Sequence, residues 1–124
     1  MSKKTNDSRR DRITKLATAL PEATAERSGS LDQHVGYRVR GKPFAYYTVD
    51  EHNDGRIALH VKLGEGRQEA FVSSDTRFFL PKYMAHHGWV ALDLDAGKID
   101  WAEIAELLRE SYRLLAPKRL GAMV

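Results

Sequence analysis

The chain has 124 residues, which suits one domain with its own core, and its 42% hydrophobic and 30% charged residues are the balance of a globular fold. It contains no cysteine, which excludes a disulfide scaffold, a thiolate metal site and a cysteine nucleophile, and fits a reducing cytoplasm. The net charge is +3, yet Lys3, Lys4, Arg9, Arg10 and Arg12 against Asp7 and Asp11 account for all of it, leaving 15 basic and 15 acidic groups in residues 13–124.

A basic N-terminal arm can therefore touch phosphate, while the folded body has no net field to steer a polyanion toward it. The opening "MSKKTNDSRRDR" has no apolar segment behind it, unlike a secretory signal, and no apolar run approaches the roughly 20 residues that cross a bilayer. A cytoplasmic protein with no membrane partner is expected.

Ser8 with Asp11 has the form of a capping box, and Ile13, Leu16, Ala17 and Leu20 recur at helical spacing until Pro21 stops the helix. From about Ala25 the period changes to two. "HVGYRVR" puts Val35, Tyr37 and Val39 on one face, and "PFAYYTV" follows after Gly41. The turn between them is not expected to be a simple two-residue one, because Pro43 has no N–H to close it. "EHNDG" is a turn, and "RIALHVKL" alternates with Ile57, Leu59, Val61 and Leu63 inward and Ala58, His60 and Lys62 outward. The three strands read as an antiparallel meander with one solvated face.

A short helix is expected in "EGRQEAFVSS", then the irregular aromatic "RFFLPKYMAHHG", and a strand in "GWVALDLD" with Val90, Leu92 and Leu94 inward. Asp100 and Glu103 open a last helix whose apolar stripe is Trp101, Ile104, Ala105, Leu108, Tyr112 and Leu115, ended by Pro117. Helix, three strands, short helix, strand and helix make an α+β domain: an antiparallel sheet with helices packed on one face.

No catalytic constellation stands out, so no enzyme, cofactor or metal is expected. His86 and His87 are neighbours that point in different directions, with no carboxylate at ligand spacing. Asp93 and Asp95 share one side of a strand, about 7 Å apart by strand geometry, where inward Leu92 and Leu94 already require polar outward positions. Glu65 between Gly64 and Gly66 would repel a phosphate. There remains a basic face. Paired as read, the strands bring Arg38, Arg40, Lys42, His60 and Lys62 to the outer sheet surface. Tyr46 or Tyr47 joins them to stack on an unpaired base; alternation does not decide between the two, and Tyr47 is the candidate carried forward. The alternative is a solvated face whose cations keep the sheet soluble.

The stretches "ALPEATAE", "YRVRGKPFAYY", "FFLPKYMAHHGWVALDLD" and "LLRESYRLLAPKRL", in this order, resemble the MmcQ/YjbR-like family of small bacterial proteins, over nearly all of residues 9–120. The resemblance implies a frataxin-like (CyaY-like) α+β sandwich, also described as a double wing, and a DNA-binding role argued from fold analogy. It divides the chain into an arm, residues 1–8, one domain, residues 9–120, and a tail, residues 121–124.

By position it transfers the Arg38, Arg40 and Lys42 hairpin as a wing, with Trp89, Ser111 and Tyr112 as structural residues. A frataxin-like iron role would need an acidic first helix, where this chain has Arg9, Arg10, Arg12 and Lys15. The other wing, "VDEHNDG", carries Asp50, Glu51 and Asp54, which repel phosphate. The expectation is a non-enzymatic module that binds DNA weakly through Arg9, Arg10, Arg12, Arg38, Arg40, Lys42, Tyr47, His60 and Lys62. The alternative is a protein-interaction or small-ligand module built on Phe78, Phe79, Tyr83 and Trp89.

Overall fold

The structure, a computed structural model, describes residues 8–29, 33–50, 55–64, 66–82 and 85–124. Helix α1 (Ser8–Thr18) leads into six strands: β1 (Ala23–Ser28), β2 (His34–Val39), β3 (Lys42–Val49), β4 (Ile57–Lys62), β5 (Phe78–Phe79) and β6 (Trp89–Asp93). Helix α2 (Arg67–Ser74) lies between β4 and β5, and α3 (Trp101–Leu115) and α4 (Lys118–Gly121) close the chain. All neighbouring strands are antiparallel, in the order β1-β2-β3-β4-β6-β5. The expected α+β architecture is present, a six-stranded sheet with helices packed against it. The strand added to those expected in the meander is β1, at its edge.

Period-two patterning sets the helix-facing side. Val35, Tyr37 and Val39 of β2, Ala45, Tyr47 and Val49 of β3, Leu59 and Val61 of β4, and Val90 and Leu92 of β6 are all buried there. Against them α1 sets Ile13 and Ala17, and α3 sets Ile104, Leu107, Leu108 and Tyr112. Each fully buried Leu or Ile contributes about 1.5–3 kcal/mol. Helix α3 starts where Asp100 accepts hydrogen bonds from Ala102 N and Glu103 N, at 3.0 and 3.3 Å. Helix α2 packs at the β5–β6 end, with Phe71 edge-on to Phe78 at 5.0 Å.

The β2–β3 turn corrects the sequence reading. It is a two-residue turn, Arg40–Gly41, with φ of 52° and 81°, the positive pair a type I′ hairpin needs. The closing pair is Val39 with Lys42, so Pro43 comes one step later and does not have to close the turn. The ladder then slips: Arg38 faces Pro43 and Tyr37 faces Ala45, which leaves Phe44 as an extra, bulged residue. Phe44 turns toward the helices and meets Tyr112 edge-on at 5.4 Å. Its carbonyl accepts from Ser111 Oγ at 2.6 Å, and the same hydroxyl oxygen accepts from Lys62 N at 2.9 Å. One hydroxyl thus fills the gap that the bulge opens between β3 and β4.

The outer face is less open than the alternation suggests. Across it run Glu26, Gly36, Tyr46, His60, Ala91 and Phe79, each opposite the next. The bare Gly36 lets the Tyr46 ring lie over it, 3.5 Å from where a Cβ would sit. Tyr46 also leans on Trp89 at 5.6 Å. Ala58, His60, Trp89 and Ala91 are buried, so the central outer face is a second apolar layer and not a solvated surface.

Candidate nucleic-acid interface

Three groups of the expected contact residues occupy different places. The hairpin trio is at one end of the sheet. Arg40, exposed in the turn, bonds Glu22 through Nε at 2.5 Å and Nη2 at 3.1 Å. Arg38 lies 3.6 Å from Glu26 and donates to Gly41 O at 3.2 Å. Lys42 is exposed. Glu22 terminates the α1–β1 turn with φ of 60°, so the turn and the hairpin tip are fastened to each other. The Arg40 hydrogen bond holds the Glu22 carboxyl below the usual carboxylate range, and the positive charge of Arg119 adds to the effect.

Arg119 belongs to α4, brought to this end because Tyr112 donates to Pro21 O at 2.6 Å and anchors the end of α3 beside the same turn. Burial raises the Tyr112 phenol above its ordinary value. Lys118 and Arg119 are both exposed. They were not among the sequence candidates, since nothing local says that residue 119 meets residue 22.

The central trio is corrected by burial. Tyr47 is 1% exposed in the helix-facing core and cannot stack on a base; the tyrosine of the outer face is Tyr46. The bulge explains why alternation could not choose, because it shifts the phase of β3 midway along the strand. His60 does face outward, but it is 5% exposed and its Nε2 lies 2.9 Å from Thr48 Oγ1, so it offers no surface contact to phosphate. Lys62 is half-buried at the rim of a cavity of about 420 Å³, beside Gly64, Gln68 and His87. The Gln68 amide there donates to Ala85 O at 2.6 Å and Trp89 O at 2.7 Å.

The α1 cations separate again. Arg10 is 5% exposed and is not a surface contact: its helix position points at the sheet, and it approaches Asp11 at 3.4 Å with Nε and Nη1 lacking acceptors among the described residues. Arg9 is fixed by Leu94 O at 3.0 Å and Asp95 Oδ1 at 2.9 Å. Arg12 is exposed and sits over the Trp101 ring, 4.4 Å from its centroid. These two line an open groove of about 770 Å³ with Ser8, Leu94, Gly97, Lys98, Ile99 and Trp101.

The remaining candidates have structural tasks. Asp93 Oδ1 accepts from Asp95 N at 2.9 Å, and Asp95 serves Arg9. Of the aromatics in the alternative reading, Phe78 and Trp89 are buried and Phe79 lies under Arg56 at 3.9 Å, so these three are packed in place. Asp50 Oδ1 accepts from Gly55 N at 2.7 Å. Residues 1–7 of the arm, Glu51 and Asp54 of the acidic loop, Glu65, Tyr83 and the His86 side chain lie outside the described residues. Among the described residues no group of three or more histidines and carboxylates is placed to hold a metal, and no helix is long and apolar enough to cross a membrane.

A family model described as YjbR matches residues 18–114. The crystal structure of Deinococcus radiodurans protein DR2400, with domain DUF419, superposes with a TM-score of 0.66. The two share 21% identity over 84% of this chain and 75% of that one, a likeness of fold. No curated protein matches the sequence.

Proposed function

The chain belongs to the YjbR family, and from that footing we propose that it is a non-enzymatic, bacterial cytoplasmic module that binds nucleic acid weakly through the phosphate backbone. The contact surface is the hairpin end. The observation that carries this reading is the convergence of the Arg40–Gly41 turn and Arg119 of α4 on Glu22, which brings Arg38, Arg40, Lys42 and Arg119, with Lys118 next to Arg119 in α4, to one end, where Glu22 and Glu26 are the carboxylates paired with them among the described residues. Lys42, Lys118 and Arg119 are exposed with no carboxylate partner among the described residues, so they are the cations most open to phosphate. Such contacts supply affinity and position without reading sequence.

The test is fluorescence anisotropy with a labelled random duplex and the matching single strand, titrated across salt. The wild-type affinity falls with salt, and the triple variant Lys42→Ala, Lys118→Ala, Arg119→Ala flattens the log–log slope by up to about 2.7 on the duplex, about 0.9 for each lost contact. An unchanged slope and affinity would remove the hairpin end from consideration.

A further inference from the structure

We propose that the groove between the first turn of α1 and the β6–α3 loop is a second binding site, for a nucleoside phosphate. It lies away from the hairpin end, and its walls divide by chemistry. Leu94, Ile99 and Trp101 give an apolar floor, while Arg12 and Lys98 give the positive charge, Arg9 being paired with Asp95, within a volume of about 770 Å³. That volume falls in the range of small-molecule sites, roughly 300–1,000 Å³.

The combination selects a ligand that is planar at one end and anionic at the other. The Arg12 guanidinium already lies over the Trp101 indole at 4.4 Å, and Arg12 is exposed, so a base can extend that stack on the outer side of the guanidinium. Lys98 is exposed and, like Arg12, has no carboxylate partner among the described residues; it is the cation placed to meet a phosphate. Of the nearby acids, Asp95 is paired with Arg9, and Asp100 faces the first backbone N–H groups of α3, whose dipole offsets part of its charge. A bare anion would leave the outer face of the Arg12–Trp101 stack unused, and an uncharged ring would leave Lys98 unused.

The experiment follows the two indole N–H resonances of the full chain by NMR, with Trp101 assigned through Trp101→Phe, during titration with adenosine 5′-monophosphate. The expected result is a saturable shift of Trp101 at millimolar ligand or below, with buried Trp89 unmoved. Adenosine alone and inorganic phosphate alone should bind at least about tenfold more weakly, as should the nucleotide to the double variant Arg12→Gln, Lys98→Gln. A 5′-phosphorylated trinucleotide separates the sources: comparable affinity assigns a free nucleotide, and affinity about tenfold or more higher assigns a strand end.

Three results each overturn the site: Trp101 unmoved by nucleotide up to about 10 mM, a double variant that binds as well as wild type, or inorganic phosphate alone giving the same response. The Lys42, Lys118, Arg119 variant retains the Trp101 response, so the two sites stand or fall separately.

Discussion

Two residues of the core, Arg10 and Tyr37, are neighbours with opposite electrostatic demands. The Arg10 guanidinium is 5% exposed, and its Nε and Nη1 find no acceptor among the described residues. A buried charge without full pairing is destabilising relative to an apolar group of similar length. Arg10→Met is therefore expected to raise the urea midpoint at unchanged m-value, by about 1 kcal/mol in free energy; a lower midpoint would mean that the guanidinium has an acceptor in solution.

Tyr37 is fully buried, with its hydroxyl 2.7 Å from Thr14 Oγ1, and burial pushes the phenol up to about 12 from an ordinary 10. Between those values the unfolded chain has released the proton and the folded chain still holds it. This contribution to stability is intact below pH 10 and declines by about 1.4 kcal/mol per pH unit between 10 and 12. Unfolding measured from pH 9 to 11.5 should show that decline in the wild type and less of it in Tyr37→Phe. Equal slopes would place the phenol near its ordinary value.

At the scale of elements, the β3 bulge ties the local hairpin to the distant helix. By inserting Phe44, β3 leaves the Phe44 carbonyl and the Lys62 N–H without each other, and Ser111 of α3 serves both. Ser111 is 0% exposed, so its removal leaves the Phe44 carbonyl and the Lys62 N–H without the partner they share. Ser111→Ala should destabilise by about 2 kcal/mol, and Ser111→Thr, which keeps the hydroxyl, by less if the extra methyl is accommodated. A cost for alanine within about 0.5 kcal/mol, read from denaturant midpoints, would mean that the ladder closes without the serine.

The same bulge marks the limit of sequence reading. Ile57, Leu59, Val61 and Leu63, or Val90, Leu92 and Leu94, could be assigned to the core because unbroken alternation fixes their face. Tyr46 and Tyr47 could not, since one inserted residue inverts the phase between them and the hairpin. His60 failed differently. Its face was read correctly, but period two says which side a residue takes and not whether that side is covered. Lys118 and Arg119 became candidates only when Tyr112 and Glu22 placed them, a contact between residues about a hundred positions apart in the chain.

For the whole molecule, stability and charge are distributed in different directions. Helices α1 and α3 lie side by side, with Arg12 over Trp101 toward one end and Tyr112 bonded to Pro21 toward the other. The eleven-residue step from Trp101 to Tyr112 separates the nucleotide groove from the hairpin end by about 16 Å along α3.

Across the strands the order is set by burial. β3 and β4 have a strand on each side and are buried almost throughout, whereas β1 pairs only with β2 and is exposed at five of its six residues. Glu26 and Arg27 put charge on that open edge, the usual guard against pairing with another chain. Native-state hydrogen exchange should follow this gradient. The β3 and β4 amides exchange only through global unfolding, and the amides of β1 exchange through local fraying, faster by orders of magnitude. Protection of β1 at the level of β4, rising with protein concentration, would overturn the isolated edge and show β1 paired with a second copy of the chain.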